Sequence, residues 1–362
     1  MSWPVGHPGT DQYNRPPMRT ERSSTSPARL HFPTRTLVWL LIGLIALGVS
    51  GAAGLIWVRG PQKFTVILLP DTQYYVESYP DILTDQVDWI LGQQKARNIV
   101  FVGHVGDIVE HYNNIFEWER ADAILSRLIG AVPLGLLPGN HDLSPTGDST
   151  SYNQHFGPER FEGFPWYGEG FPAGTNNNSY QTFSAGGYTL GPVSIGADGF
   201  LVLDLEFCPE ADVIAWAKQV LEDHADRHAI LVTHGYLDVF GRRNIGQPAF
   251  GCARAEGNTE YLFEEVVYPH PNVFLVLSGH QYDTQTMDGE ARRADRNAAG
   301  RWVYQLVSDF QRRPEGGGGW LRVLGFNQEL GQVIVRTYSP TLKQYEQDGD
   351  SDFWIPYPEP LR

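Results

Sequence analysis

The sequence predicts an α/β protein whose strands are covered by helices on both faces. Short apolar runs recur from residue 64 onward, among them FTVILL at 64–69, AILVT at 229–233 and VFLVLS at 273–278. Each run is apolar throughout rather than alternating with polar residues, which is typical of strands buried on both faces. Segments with apolar residues at every third or fourth position separate the runs and predict helices. Together these two patterns favour a layered α/β/α arrangement.

The predicted elements begin in a β-α-β order. FTVILL precedes a first helix and the strand IVFV at 99–102, a second helix leads to VPLGLL at 132–137, and a third leads to AILVT. The apolar faces of these helices carry Leu83, Val87, Ile90 and Leu91; then Trp118, Ala121, Leu125 and Leu128; then Val213, Ala217, Val220 and Leu221. After residue 301, the segments WVYQLVSDF, GWLRVLGF and QVIVRTYSP predict strands of a second sheet that packs against the first.

An uncharged span at residues 36–58 predicts one transmembrane helix ahead of the globular part. The span is long enough to cross a hydrocarbon core of roughly 30 Å. More arginines precede the span than follow it closely, so the positive-inside rule places residues 1–35, a tail predicted to be disordered, in the cytoplasm. The globular part of this single-pass protein then lies outside the cytoplasm. A cleaved signal peptide is the alternative, although the long polar leader favours a retained anchor.

The remaining boundaries follow from composition. Residues 59–63 form a short linker, residues 64–345 a globular domain and residues 346–362 a C-terminal tail. Within the domain, residues 143–199 are rich in Gly, Pro, Asn and aromatic residues, a composition typical of a long elaboration that shapes a binding surface. Trp166 and Tyr167 in this segment are candidates for stacking on a substrate.

The charge is unevenly distributed. Residues 1–63 contain seven of the 27 Lys/Arg and two of the 42 Asp/Glu, so 20 basic and 40 acidic residues remain for the rest of the chain. An acidic globular part repels nucleic acid, which disfavours a nucleic-acid substrate. The two cysteines, Cys208 and Cys252, either form one disulfide in an oxidising compartment or remain as two thiols.

Polar clusters directly follow five of the predicted strands. They contain Asp71 and Gln73; Asp107; Asn140, His141 and Asp142; His234; and His280. Because ligands bind at the carboxyl ends of the strands in open α/β sheets, we expect these clusters to meet at one sheet edge. Carboxylates, an amide oxygen and imidazoles suit a pair of divalent ions such as Mn, Fe or Zn.

With these clusters in this order, the chain resembles the calcineurin-like metallophosphoesterases. The pattern of that family is Asp-x-His, Gly-Asp, Gly-Asn-His-Asp/Glu, a later His and Gly-His-x-His. Gly139-Asn140-His141-Asp142 is the most specific match, and the resemblance extends over roughly residues 64–338. It implies a four-layer α/β/β/α metallophosphoesterase sandwich with a dinuclear metal site.

The resemblance also implies a role for each residue. Asp107 would bridge the two metals, and Asn140, His234 and His280 would complete the shell of one of them. Asp71 would belong to the other metal, called the first metal below. His141 would bind the phosphate or protonate the leaving group, oriented by Asp142.

The sequence departs from the family pattern at two positions, and both concern the first metal. Gln73 replaces the histidine of Asp-x-His, and Tyr282 replaces the last histidine of Gly-His-x-His. An amide oxygen and a phenol are weaker ligands for Zn than imidazole. We therefore expect the first metal to bind weakly or to be a harder ion such as Mn or Fe(III). Asp309 and Gln311 also follow a predicted strand and are candidates for groups behind the ligands.

The resemblance implies hydrolysis of a phosphomonoester or phosphodiester by metal-bound hydroxide, here at the outer face of the membrane. The expected substrate is a phosphorylated small molecule or a lipid head group. The altered ligands of the first metal leave an alternative from another class, a catalytically weak protein of this fold that binds a phosphorylated envelope ligand or a protein partner. The sequence leaves the oligomeric state open.

Overall fold

The apolar runs fold into strands over the part of the chain that the structure, a computed structural model, describes: residues 63–190, 193–243 and 259–361. In chain order the strands are β1 (Phe64–Leu69), β2 (Ile99–His104), β3 (Leu134–Gly135), β4 (Tyr167–Phe171), β5 (Asn178–Ala185), β6 (Tyr188–Leu190), β7 (Val193–Ile195), β8 (Asp198–Leu205), β9 (His228–Thr233), β10 (Val273–Ser278), β11 (Glu290–Arg296), β12 (Trp302–Ser308), β13 (Leu321–Asn327), β14 (Gln332–Ser339), β15 (Gln344–Tyr345) and β16 (Asp352–Pro356). The α-helices are α1 (Gln73–Ser78), α2 (Pro80–Gln93), α3 (Ile115–Leu125), α4 (Thr150–Phe156), α5 (Ala211–Asp223) and α6 (Thr259–Leu262).

Local sequence explains where the central helices begin. Pro80 occupies the first turn of α2, where its missing N–H costs no hydrogen bond. The side chain of Asn114 caps α3 by accepting the N–H of Phe116. A 3₁₀ turn (Ser126–Leu128) extends α3, and a π-helical turn (Phe263–Val267) extends α6.

Fourteen of these strands form two seven-stranded sheets, and β6 and β7 pair only with each other. The first has the order β15-β14-β13-β1-β2-β3, with β16 also paired to β14, and its parallel part is β1, β2 and β3. The second has the order β11-β12-β10-β9-β8-β5-β4, and β8, β9, β10 and β12 are parallel. The predicted α/β fold with two sheets is confirmed.

Apolar cores on both faces of each sheet produce four layers. Val66 of β1 and Val202 of β8 pack between the sheets. The next residue of β1, Ile67, packs with α1, α2 and α3. On the second sheet, Leu201 packs with α5. The order of layers is helices, sheet, sheet, helices, and the continuous apolar runs arise because both faces of the central strands are covered.

The distribution of strands between the sheets differs from the prediction. The strands after residue 301 do not form a second sheet of their own. β12 lies parallel to β10, with Tyr304 opposite Leu275, while β13 lies antiparallel to β1, with Val323 opposite Ile67. An apolar run identifies a buried strand, but it does not identify the neighbour, because both sheets present similar apolar faces to each other.

A buried ion pair joins the two sheets. Arg322 of β13 is 1% exposed and lies 2.8 Å from the carboxylate of Glu290 at the start of β11. Its Nε also donates to the hydroxyl of Ser308, at the end of β12, at 2.7 Å. A buried guanidinium that lost this carboxylate would be left with an uncompensated charge, so the pair fixes how the sheets face each other.

The predictions for the chain termini have different outcomes. The tail at 1–35, the transmembrane span at 36–58 and nearly all of the linker lie outside the described residues. Among the helices that the structure describes, none is long and apolar enough to cross a membrane. The predicted C-terminal tail at 346–362 is wrong, because β16 pairs with β14 and buries Ile355 between the sheets. Only one residue of this edge strand is buried, and its short apolar stretch at 353–356 directly follows the acidic run EQDGDSD at 346–352.

Candidate metal centre

Loops from both sheets bring the predicted clusters together. Asp71, Asp107 and Asn140 follow β1, β2 and β3 of the first sheet, whereas His234 and His280 follow β9 and β10 of the second. The backbone N–H of His280 donates to both carboxylate oxygens of Asp71, at 3.0 and 3.2 Å. The expectation of a single sheet edge is therefore wrong, because the site lies where the carboxyl ends of two facing sheets meet.

His234 is held in the form that a metal ligand requires. Its Nδ1 lies 2.8 Å from the carbonyl oxygen of Val105, which can only accept, so Nδ1 carries a proton. Its Nε2 lies 2.9 Å from Asn140 Oδ1 and 3.3 Å from Asp107 Oδ2. A ligating histidine commonly has its other nitrogen fixed in this way. Burial favours the neutral ring, but the Asp107 carboxylate outweighs burial and raises the pKa of His234, so this corner of the site attracts positive charge.

A second histidine completes this group. Asp107, His234 and His280 each offer a ligand atom, and these atoms lie within 4.8 Å of one another. The rings of His234 and His280 are 4.6 Å apart between centroids, and Phe207 packs against both. With the amide oxygen of Asn140, these donors form a mixed nitrogen and oxygen set that suits Mn, Fe or Zn.

Asp107 lies in a tight turn that leaves no room for a side chain at position 139. Its own backbone is left-handed, with φ of 52°. Gly139 must be glycine, because a Cβ there would overlap the Asp107 carboxylate and its backbone nitrogen. The N–H of His141 donates to Asp107 Oδ1 at 2.8 Å. Burial would raise the pKa of Asp107, yet the neighbouring histidines, His234 first, lower it to about 2, so the carboxylate is ionised.

Buried carboxylates are concentrated on the side of the first metal. Asp71, Asp107 and Asp309 are each at most 1% exposed. Burial, together with repulsion from Asp309 and Asp107, raises the pKa of Asp71 well above its usual range, and burial raises the pKa of Asp309 to about 6. A cation among these groups would remove the repulsion. Gln73 lies beside these carboxylates, with its Nε2 3.3 Å from Asp107 Oδ2.

Asp142 holds the backbone of the site rather than the side chain of His141. Its carboxylate accepts the N–H groups of Ile108, Val109 and Gly139 at 2.8 to 3.0 Å. It thus ties the loop after β2 to the loop after β3. The prediction that Asp142 orients His141 is wrong, because three backbone donors already occupy its oxygens.

Glu110 takes the role that was expected of Asp142. The Nδ1 of His141 lies 2.9 Å from the carbonyl oxygen of Glu110 and 3.3 Å from its carboxylate. Burial works against protonation of His141, but Asp107 and Glu110 raise its pKa. The His141 side chain is 35% exposed, so solvent reaches it while His234 is fully buried. The sequence signal that could have identified this partner is an acidic residue three positions after Asp107.

The other candidate residues lie outside this cluster. Tyr282 sits beneath the guanidinium of Arg312, 5.2 Å from the ring centroid. Trp166 and Tyr167 pack on Phe161 in an aromatic group against the first core, so the structure does not bring them to the metal side chains.

Two clefts adjoin the cluster. The arginine cleft, about 440 Å³, includes Gln311 and is lined further by Tyr74, Glu77, Tyr79, Tyr282 and Arg312. The acidic cleft, about 510 Å³, includes Asn140 and is lined further by residues 143–147, Pro172, Glu206, Glu210 and Asp212. Residues 143–199 thus contribute to the acidic cleft.

Known proteins share both the sequence pattern and the fold. Residues 64–283 match the family model described as calcineurin-like phosphoesterase. The chain is 37% identical over 285 residues to the uncharacterized protein YvnB of Bacillus subtilis (strain 168); the match covers 78% of this chain and 20% of YvnB, so the chain spans about a fifth of that relative.

The solved structure of a purple acid phosphatase adds a likeness of fold alone. Purple acid phosphatase PPD1 from yellow lupin (Lupinus luteus) seeds has a TM-score of 0.51 at 13% identity, over 82% of this chain and 54% of that one. GAP50 of Plasmodium has a TM-score of 0.46 at 12% identity, over 80% of this chain and 89% of that one.

Proposed function

Because this chain belongs to the calcineurin-like phosphoesterase family, we propose that it hydrolyses a phosphomonoester or phosphodiester with two metal ions held where the sheets meet. The family implies metal-dependent phosphoester hydrolysis, which supports a hydrolase. One observation carries the proposal: Asp107, Asn140 and His234 point their ligand atoms at one another, and the far nitrogen of His234 is fixed by a carbonyl.

The residues present fit the two ions. Asp107, Asn140, His234 and His280 would hold one of them, and Asp107 with Asp71 would hold the other. Two bound cations lower the pKa of a water molecule and offset the charge of the phosphate. The protein fixes the donors in advance: Asp142 ties two of the loops together, and the N–H of His280 holds Asp71.

His141 is the side chain that contacts the substrate in this proposal. Its Nδ1 is held by Glu110, which leaves Nε2 for the phosphate or the leaving oxygen. It is partly exposed, whereas His234 beside it is not. In this role His141 donates a proton to the leaving alcohol, and the Glu110 carboxylate stabilises the imidazolium.

The clefts favour one direction of approach for an anion. The arginine cleft combines a guanidinium with the rings of Tyr74, Tyr79 and Tyr282, which suits a phosphate attached to an organic group. The acidic cleft contains three carboxyl groups and repels an anion. The substrate class that fits is a phosphorylated small molecule or lipid head group, entering along the arginine cleft.

We place the domain outside the cytoplasm, attached to the membrane by residues 36–58. Cys208 is in a disulfide. A structural disulfide supports an oxidising compartment. The acidic globular part also fits a substrate other than nucleic acid.

The test compares metal-dependent turnover of matched variants. Wild type, Asn140→Ala, His280→Ala and the control His224→Ala are assayed on generic mono- and diesters with Mn, Fe or Zn. His224 is half-buried beside Tyr180 at the end of α5, away from the site. Loss of a ligand should lower kcat/KM by roughly 100-fold, while the control keeps wild-type turnover.

Two outcomes would contradict the proposal. Equal turnover by His280→Ala and wild type would exclude this site. No metal-dependent turnover by the wild type would favour the alternative, a phosphoesterase-fold protein that binds a phosphorylated ligand; the changes at Gln73 and Tyr282 motivate that reading.

A further inference from the structure

The same tripeptide pattern ends two strands that meet at the site. Asp71-Thr72-Gln73 follows β1, and Asp309-Phe310-Gln311 follows β12. The strands belong to different sheets, yet the two glutamine side chains form a hydrogen bond of 2.7 Å between Gln73 Nε2 and Gln311 Oε1. Gln73, Asp309 and Gln311 are all buried, at 0%, 0% and 7% exposure.

The carboxylate of Asp309 fixes the direction of these hydrogen bonds. Gln311 Nε2 lies 2.8 Å from Asp309 Oδ2 and 3.5 Å from Asp71 Oδ2. An ionised carboxylate only accepts, so the amide nitrogen of Gln311 must face it. The amide oxygen of Gln311 must then face Gln73, and Gln73 donates its NH₂ group to that oxygen.

This arrangement of hydrogen bonds leaves the amide oxygen of Gln73 without a partner. Gln73 Nε2 donates to Gln311 and lies 3.3 Å from Asp107 Oδ2, while Gln73 Oε1 is buried without a hydrogen-bond partner. A buried acceptor without a partner is costly unless a ligand satisfies it. Oε1 belongs to the same amide that contacts Asp107, so it lies beside the carboxylate expected to bridge the two ions.

We propose that Gln73 Oε1 is a ligand of the first metal and that Asp309, acting through Gln311, is the positioning residue that presents it. The inference rests on the proposed function, because it concerns the same pair of ions. Asp71, Gln73 and Asp107 then give the first metal oxygen ligands only, whereas His234 and His280 give the second metal nitrogen ligands. An oxygen-only set selects a hard cation such as Mn²⁺ over Zn²⁺. Tyr282 is not needed as a ligand, consistent with its place beneath Arg312.

Asp309→Asn tests the direction of the network with almost no change in shape. The introduced amide can donate to Gln311, which then turns its NH₂ group toward position 73 and forces the Gln73 oxygen away from the cation. Titration of metal-stripped protein with Mn²⁺, followed by electron paramagnetic resonance, should show two spin-coupled ions in wild type. In Asp309→Asn the first site should weaken by about 10- to 100-fold, as for other groups behind metal ligands. A mononuclear spectrum should result.

A rescue variant distinguishes a positioning role of Asp309 from a general role in the stability of the fold. In Gln73→Glu/Asp309→Asn, the carboxylate accepts the turned NH₂ group and still offers an oxygen to the cation, so two coupled ions should return. Asp204→Asn is the matched control, because Asp204 is equally buried but lies outside the site. It should keep two coupled ions.

The outcomes distinguish the two proposals. Two coupled ions in Asp309→Asn, or no recovery in the double variant, would overturn the positioning role while leaving the phosphoesterase proposal intact. If Asp309→Asn lost both ions, recovery of both in the double variant would still support the role. A wild type that binds no Mn²⁺ at either site would contradict the proposed function itself.

Discussion

Asp204 should make the stability of this protein fall as the pH rises. The residue lies in β8, is 0% exposed, and burial raises the pKa of its carboxyl from 3.8 to about 7. A raised pKa means that the folded state binds more protons than the unfolded state between about pH 4 and 7, so the free energy of unfolding decreases over that window. At about 1.4 kcal/mol for each pKa unit, the loss amounts to roughly 4 kcal/mol by pH 8.

Asp204→Asn removes this dependence, because an amide does not titrate. Urea unfolding of wild type and variant, at pH 4.5, 6 and 8, gives the difference in free energy of unfolding directly. The two proteins should be similar at the lowest pH, and the variant should be more stable at pH 8. Other buried carboxyls are common to both proteins and cancel in the comparison. A difference that did not change with pH would refute the assignment.

Three further predictions follow from the contacts. Glu110→Gln should lower the pKa of His141, so the alkaline limb of a kcat profile should move to lower pH; an unmoved limb would exclude Glu110 as its partner. Arg322→Met should lower the free energy of unfolding by about 1.5 to 3 kcal/mol, measured by urea unfolding, because the buried Glu290 carboxylate loses one of its two guanidinium partners and keeps only Arg313. Chelation should remove roughly 3 kcal/mol from the free energy of unfolding for each ion held at 100 times its Kd, and Tm should fall accordingly. Equal Tm values with and without chelator would argue against bound metal.

The sequence predicted the residues of the site better than their partners. Asp107, Asn140, His234 and His280 could be identified because each follows an apolar run, and strand ends collect ligands. The acidic residue near Asp107 did not by itself indicate that Glu110 contacts His141. That contact depends on the left-handed turn at Asp107, which directs a backbone carbonyl and a carboxylate toward His141.

Pairing between strands limited the prediction of the fold. Apolar runs located β12, β13 and β14, but which sheet each joins depends on contacts far apart in the chain. The place of β12 beside β10 is what brings Asp309 and Gln311 to Gln73. For the same reason β16 was not expected, since its short apolar stretch follows an acidic run and its pairing with β14 is a contact between separate parts of the chain.

Anomalous scattering from crystals grown with Mn²⁺ would locate both ions of the proposed site. We expect one peak about 2.2 Å from His234 Nε2 and Asn140 Oδ1, and a second peak on the side of Asp71 and Gln73, with Asp107 contacting both. Peaks elsewhere, or none at these side chains in protein that hydrolyses phosphate esters, would contradict it.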